Sequence, residues 1–180
     1  MIAIGIDIGL TGAIAAVDSL GSCSVTDMPT LPDGKGNRID GRALLHLLRQ
    51  FVPAGEAGLL LFEDVRPRPS GNGGKHGNSM HSQGSLMRSR GAIEAVVDIL
   101  RIERRVIQPQ TWKRHYGLIG KDKGESLAVA RALYPLADLR LAKHHNRAEA
   151  ILIAHFGLDE PVVVLPRPGT TRRPQLELVA

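Results

Sequence analysis

The sequence predicts an α/β domain in which helices cover a central sheet. Residues 2–8 alternate isoleucines with small residues, a period of two that is typical of a strand with one face open to a closely packed helix. Residues 59–62 are apolar throughout, as in a central strand covered on both faces. Between these strands, Asp40 can cap a helix that carries a leucine stripe to about Phe51. A length of 180 residues fits one domain with a self-sufficient core.

The first half of the chain is expected to build most of the sheet. A glycine turn separates the first strand from a second apolar run at 12–18, and a third strand is expected at 23–28. The Pro and Gly content of residues 29–36 predicts a loop. The central strand ends at Glu63 and Asp64. Carboxylates at the carboxyl end of a central strand lie where open α/β sheets bind ligands.

The second half of the chain is expected to be mainly helical. Residues 66–84 combine Gly, Pro and basic residues with few apolar ones, which predicts a long loop that is functional or disordered. The elements expected after this loop are a helix at about 85–102, a strand at 105–107, and helices at about 112–116, 124–133 and 145–156. Residues 161–180 contain arginines and prolines, which predicts an extended, flexible basic tail.

Charge is unevenly distributed along the chain, whose formal net charge is +5. Residues 1–64 carry 4 basic and 8 acidic side chains, a net of −4. Residues 65–123 carry 12 basic and 4 acidic side chains, a net of +8, and residues 124–180 carry 7 and 6, a net of +1. Concentrated positive charge in the middle of the chain indicates a surface that binds a polyanion such as nucleic acid. A merely solvated face is the alternative.

Composition also argues against several classes of protein. The single cysteine, Cys23, cannot form an intramolecular disulfide and fits a reducing compartment, so we expect a cytoplasmic location. One cysteine with scattered histidines gives no zinc-finger spacing. The longest apolar runs are too short to span a membrane, and the N-terminal residues lack the charged region of a signal peptide.

Asp7 is the most unusual residue of the first strand. Strand interiors disfavour Asp, and a buried ionised carboxylate is costly unless it is paired or coordinates a metal. One interpretation is that Asp7 caps the turn around Gly9 and Gly12. Because Asp7 lies inside the apolar alternation and not at its end, we favour the interpretation that the strand holds it for chemistry.

Three separate segments each offer a metal-type ligand: Asp7 from the first strand, Glu63 from the central strand and Glu149 from the last helix. On that helix His145 lies one turn before Glu149 and shares its face, with Asn146 beside them. Oxygen ligands with an occasional imidazole suit Mg²⁺ or Mn²⁺. The apolar run after Glu149 predicts that this residue lies at the start of a buried helix. We therefore predict a divalent-metal site.

The order of these segments resembles that of the RuvC-type Holliday junction resolvases, members of the ribonuclease H-like superfamily, and is nearest to their bacteriophage-encoded versions. The motifs that carry the resemblance are GIDIG at 5–9, FEDV at 62–65, SLMRSRGAI at 85–93, VIQPQTWK at 106–113, GKDK at 120–123 and RAEAILIA at 147–154. Together they extend over residues 1–157. The combination is specific, although no single motif is.

The resemblance implies a ribonuclease H-like nuclease domain over residues 1–160. Its five-stranded mixed sheet would have three antiparallel strands followed by parallel ones, with helices on both faces. It further implies a homodimeric endonuclease that resolves four-way DNA junctions by symmetric paired nicks, using two Mg²⁺ ions per site, for which Mn²⁺ would substitute. The loop at 66–84 would face the junction, and the helix at 85–102 would form the dimer interface. A phage-encoded member would act in the bacterial host cell.

The resemblance also implies roles for individual residues. The catalytic residues would be Asp7, Glu63, His145 and Glu149. The metal ligands would be Asp7, Glu63, Glu149 and Asn146. The DNA-binding residues would be basic side chains of the middle of the chain, namely Arg66, Arg68, Lys75, Arg88, Arg90, Lys113, Arg114, Lys121 and Lys123.

Three alternatives stay open. The family commonly closes its site with two acids, or a His and an acid, whereas Asn146 stands three residues before Glu149 here. The fourth active-site ligand is therefore either His145 or Asn146. A non-catalytic branched-DNA-binding protein of the same fold is the second alternative. The third is an actin-like ATPase or kinase lobe, because GIDIGLTG at 5–12 also resembles the first phosphate loop of those enzymes. A second glycine-rich phosphate loop is not found in the sequence.

Overall fold

A five-stranded sheet lies at the centre of the protein, whose computed structural model describes residues 1–66 and 80–159. The strands in chain order are β1 (Ile2–Asp7), β2 (Ala13–Asp18), β3 (Cys23–Asp27), β4 (Thr30–Asp33), β5 (Gly36–Ile39), β6 (Gly58–Glu63) and β7 (Glu103–Ile107). The large sheet has the order β3-β2-β1-β6-β7, and β4 and β5 form a separate two-stranded sheet. Strands β3, β2 and β1 are antiparallel, whereas β1, β6 and β7 are parallel.

Within the described residues, five α-helices pack around the sheet. They are α1 (Gly41–Phe51), α2 (Met80–Leu100), α3 (Pro109–His115), α4 (Lys123–Leu133) and α5 (His145–Asp159), the last preceded by a 3₁₀ turn at Ala142–His144. Asp40 caps α1 as predicted, because its carboxylate accepts hydrogen bonds from the backbone N–H groups of Arg42 and Ala43. Among the described helices, none combines the length and the apolar character needed to cross a membrane.

The alternation of side chains divides the sheet between two apolar cores. Ala3, Ala15 and Leu61 belong to the core that contains α5, together with buried residues of α3 and α4. Ile4 and Phe62 belong to the core on the other face, with buried residues of α1 and α2. Helices therefore cover both faces of a mixed sheet, and the predicted fold class is confirmed.

Gly5 lets α5 pack directly on β1. A Cβ atom added at Gly5 would overlap the carbonyl oxygen of Ala150 and the backbone nitrogen of Ala154. Those atoms belong to helical backbone and cannot turn aside as a flexible side chain could. The face of β1 that carries small residues thus receives a closely packed helix, as the sequence predicted. This close contact sets the distance between α5 and the sheet.

The structure corrects two of the predicted segments. The predicted loop at 29–36 is wrong, because β4 and β5 pair there as a hairpin. Its strands have only four residues each, and Pro32 lies within one of them, so the period-two signal is too short to recognise. Helix α2 begins at Met80, so residues 80–84 are helical and do not belong to the predicted loop at 66–84. The rest of that loop from 67 to 79, and the predicted tail at 161–180, lie outside the described residues.

Candidate active site

Asp7 and Glu63 end two neighbouring parallel strands. Ile6 of β1 is paired with Phe62 of β6, so the next residue of each strand, Asp7 and Glu63, reaches the same edge of the sheet. Both residues continue the alternation that faces α5. Register and alternation together place two carboxylates side by side, at the carboxyl end of the parallel strands where α/β sheets bind ligands.

Helix α5 supplies the third carboxylate, Glu149. This residue directly precedes Ala150, whose carbonyl oxygen lies against Gly5 of β1. Glu149 is partly buried in the second turn of the helix, and its charge acts on both Asp7 and Glu63. The close packing at Gly5 therefore brings Glu149 to the edge of the sheet where Asp7 and Glu63 lie.

The surroundings of Asp7 and Glu63 disfavour the charged forms of these two carboxylates. Burial raises the pKa of Asp7 from 3.8 to about 7, with further contributions from the negative charges of Glu149 and Glu63. Lys123 and Lys113 act in the opposite direction but do not cancel the effect. Burial also raises the pKa of Glu63, against a hydrogen bond from Trp112 that lowers it. The three acids thus form a coupled cluster that is short of positive charge.

Trp112 fixes the orientation of Glu63. Its indole Nε1–H donates a hydrogen bond of 2.8 Å to Glu63 Oε1, and the ring is fully buried in the core under α3. Trp112 is not among the predicted site residues, although this residue is the only tryptophan of the chain. A buried indole needs a hydrogen-bond acceptor, and that requirement is the signal that could have identified it.

His145 and Asn146 lie on the first turn of α5 with different partners. His145 Nε2 is 3.2 Å from Lys123 Nζ. The side-chain amide of Asn146 donates to the carbonyl oxygen of Thr11 in the turn between β1 and β2. Asn146 therefore ties the turn that follows Asp7 to the helix that carries Glu149. Among the described residues its side-chain oxygen accepts no hydrogen bond and could act as a neutral ligand, so both candidates for the fourth position stay predictions.

The donor set fits a divalent cation by charge and by chemistry. Carboxylate oxygens are the ligands that Mg²⁺ and Mn²⁺ prefer, and the mutual repulsion of Asp7, Glu63 and Glu149 is what a bound cation would relieve. Within residues 1–66 and 80–159, however, no three His, Cys, Asp or Glu side chains are already arranged as a finished metal cage. The side chains of Asp7, Glu63 and Glu149 would therefore have to move together to coordinate an ion.

Two of the predicted DNA-binding lysines flank the carboxylates. Lys113 and Lys123 both lower the pKa of Asp7, and Lys113 Nζ lies 5.1 Å from the centroid of the Trp112 ring. Arg114 and Lys121 are exposed. The two lysines next to the site are thus placed to meet a phosphate there.

The other predicted DNA-binding residues differ in how their charge is used. Arg90 donates to Asp64 Oδ1 at 3.1 Å, to the Val65 carbonyl at 2.9 Å and to Glu94 Oε1 at 3.1 Å. Its side chain is only 22% exposed. Arg66 also binds Asp64, at 2.7 Å. The guanidinium of Arg90 is therefore occupied by protein partners, and its role toward DNA stays a prediction.

Arg88 lies on α2 and is partly paired with an acid. Arg88 pairs with Asp33 at 2.7 Å but keeps 61% of its side chain exposed. Arg68 and Lys75 lie outside the described residues. The structure thus places Arg88 on the surface and says nothing about the other two.

Comparison with known proteins finds similarity both in sequence and in structure. No protein-family model matches the chain. "Holliday junction resolvase MOC1, chloroplastic" from Chlamydomonas reinhardtii is 49% identical over 59 residues, which is 31% of this chain. That match spans only 6% of the relative's own length.

Two solved structures of RuvC from Thermus thermophilus each align with 86% of this chain. One, in complex with a Holliday junction substrate, has a TM-score of 0.58 at 16% identity over 90% of its chain. The other has a TM-score of 0.55 at 17% identity over 91% of its chain. The bacteriophage origin stays a prediction. The chain has the RuvC-like fold, in agreement with the predicted ribonuclease H-like class.

Proposed function

We propose that this protein is a divalent-metal endonuclease that cuts four-way DNA junctions. The observation that carries the proposal is the convergence of Asp7, Glu63 and Glu149 on one face of a RuvC-like fold, with Lys113 and Lys123 beside them. Such a cluster is costly to a protein that does not use it, because buried like charges repel. The local sequence identity to a chloroplastic resolvase supports the same substrate class.

The three acids of the cluster would then share one task. Asp7, Glu63 and Glu149 would hold the divalent cations, and Asn146 or His145 would complete the set. Bound Mg²⁺ or Mn²⁺ would supply Lewis acidity toward the scissile phosphate and a more acidic water. The hydrogen bond from Trp112 keeps Glu63 directed into the site.

The groups around the carboxylates handle charge and protons. Lys113 and Lys123 would hold the negative phosphate of the scissile strand close to Asp7. His145 would orient the attacking water or accept its proton, because an imidazole nitrogen can act as a general base. Its contact with Lys123 Nζ at 3.2 Å fixes the ring beside the site.

Symmetric paired nicks require two sites related by a two-fold axis, so we also propose a homodimer. The helix named by the resemblance is α2, and its exposed face carries Gly91 and Ala95. A Cβ added at Gly91 would meet nothing within 4 Å, so this face has room for a closely packed helix of a second copy.

Cleavage of a mobile four-way junction tests the proposal. With Mg²⁺ we expect the wild-type protein to convert the junction into nicked duplexes. Asp7→Asn should reduce the cleavage rate by more than about 100-fold, because the site loses the carboxylate at its centre. The same variant should still bind the junction, which a gel-shift assay checks.

Two results would replace the proposal with an alternative. If the wild-type protein binds junctions but never nicks them with Mg²⁺ or Mn²⁺, it is a non-catalytic branched-DNA-binding protein of the same fold. ATP hydrolysis in the absence of DNA would instead favour the actin-like interpretation.

A further inference from the structure

A groove separates the β4–β5 hairpin from the N-terminal half of α2. Its volume is about 590 Å³. The hairpin contributes Lys35, Asn37 and Arg38 to its lining, and α2 contributes His81, Ser85 and Arg88. Asp33 of the hairpin also lines the groove and pairs with Arg88 at 2.7 Å, so Lys35 and Arg38 carry the remaining positive charge of the lining.

The groove continues toward the candidate active site. A second cavity of about 270 Å³ is lined by Gly9, Leu10 and Thr11 of the turn between β1 and β2. The two cavities share Leu10, His81, Ser85 and Ser89, so they lie next to each other. Because the turn directly follows Asp7, the two cavities together extend from the turn beside the site to the hairpin.

The side chains of the two hairpin cations lack partners among the described residues. Neither the Lys35 ammonium nor the Arg38 guanidinium makes a hydrogen bond, ion pair or cation–π contact there, and both residues are exposed. Arg147 shows the contrast, since its guanidinium is bound by Asp27 at 2.6 Å and by Asp138 at 2.8 Å. Cations held at a groove without protein partners are available to an anionic ligand.

The walls of the groove favour contacts to phosphate over contacts to bases. Gly36 and Gly84 leave space on either side, and Ser85 and Asn37 offer hydrogen-bonding groups. Among the described lining residues there is no Phe, Tyr or Trp on which a base could stack. A phosphodiester backbone fits this combination of charge and small polar residues.

We propose that this groove holds the backbone of one DNA strand leaving the active site, with Lys35 and Arg38 as phosphate contacts. The inference rests on the proposed function and adds to it the path of one DNA strand along the β4–β5 hairpin, called the strand path below. It gives β4 and β5 a role as a DNA-positioning element.

Binding measured without cleavage tests the strand path. In an Asp7→Asn background with EDTA, the double variant Lys35→Ala/Arg38→Ala should bind a four-way junction about 10-fold more weakly. Its slope of log K against log salt should decrease by about 2, one for each lost phosphate contact. Lys35→Arg/Arg38→Lys, which keeps both charges, should restore the slope.

A matched control removes two charges from the opposite edge of the sheet. Arg49 and Arg101 line a cavity beside the amino ends of β6 and β7. Arg49→Ala/Arg101→Ala should therefore keep the affinity and the salt slope of the parent. The proposal is overturned if the hairpin variant binds with the same affinity and slope as this control.

A change in oligomeric state by light scattering, without a change in DNA affinity, would also overturn the proposal and mark the groove as a contact between copies. Cleavage by the wild-type protein with Mg²⁺ is measured separately. Its failure would remove the nuclease function while a changed salt slope would still support the strand path.

Discussion

Glu63 and Asp64 are consecutive acids at the end of β6 with opposite surroundings. Glu63 faces α5, where it meets Asp7 and Glu149, and burial raises its pKa. Asp64 accepts hydrogen bonds from Arg90, Arg66 and Gln108, and chiefly the bond from Arg90 lowers its pKa. Glu63 thus lies beside other acids, whereas the charge of Asp64 is balanced by arginines bound to it.

This difference separates a chemical role from a structural one. Asp64 ties the end of β6 to α2 and to the residue before α3, and its charge is consumed in doing so. Asp27 and Asp138 are used in the same way by Arg147. Within the described residues, Asp7 and Glu63 form no ion pair, and Lys113 and Lys123 act on the site only from a distance, which leaves the carboxylates available for the proposed metal. The difference between the two acids, and the packing that places Glu63 beside Glu149, lead to three predictions.

Gly5→Ala should have the largest effect. The added Cβ would overlap the backbone of α5 at Ala150 and Ala154, so the helix must move away from β1. We expect the free energy of unfolding to decrease by about 3 kcal/mol in chemical denaturation. Junction cleavage should decrease by about 100-fold, because Glu149 is displaced from Asp7.

Gly41→Ala is the matched control for that variant. Gly41 is the first residue of α1, and an added Cβ would meet only Val96 Cγ2, at an ordinary contact distance of 3.6 Å. Because Ala is the better helix former, this change should raise the free energy of unfolding by about 0.5–1 kcal/mol. If the two substitutions have equal effects on stability, close packing at Gly5 does not position α5.

Glu63→Gln and Asp64→Asn should separate activity from stability at adjacent positions. Glu63→Gln should reduce cleavage by about 100-fold or more and leave the fold intact, since it removes a repelling charge. Asp64→Asn should lower the melting temperature, because Arg90 and Arg66 lose their shared acceptor, while cleavage below that temperature largely persists. Thermal unfolding and cleavage rates measured on both variants check this. The reverse assignment of effects would contradict the comparison.

The pH dependence of stability should show the smallest effect. With EDTA present, the folded protein keeps the proton of Asp7 up to about pH 7, whereas the unfolded chain loses it near pH 3.8. The folded state therefore binds more protons between these values, and the free energy of unfolding should decrease as pH rises through this window. Asp7→Asn should remove about 2 kcal/mol of that decrease between pH 5 and 8.

Asp138 provides the opposite sign as a control. Hydrogen bonds from Arg140 and Arg147 lower its pKa, so its contribution to stability is lost only as pH falls below the ordinary Asp range. Asp138→Asn should leave the slope of stability above pH 5 unchanged. An unchanged slope in Asp7→Asn would show that Asp7 is not the group that titrates in this window.

Much of the fold could be predicted because its signals are local. The alternation at 2–8, the apolar strand at 59–62 and the cap at Asp40 each depend on residues a few positions apart. The β4–β5 hairpin was missed because two four-residue strands carry too little periodicity, and the first turn of α2 because residues 80–84 have few apolar side chains.

The order of elements, the two faces of β1 and the three acids of the site are encoded in patterns of nearby residues. How each charge is used depends on the packing of distant segments. Arg90 and Arg88 are two residues apart on α2, yet one is enclosed by Asp64 and Glu94 and the other is exposed. Trp112 meets Glu63 across 49 residues of sequence. Such pairings depend on which chain segments pack together. Counts of charge along a sequence carry no information about which side chains meet in space.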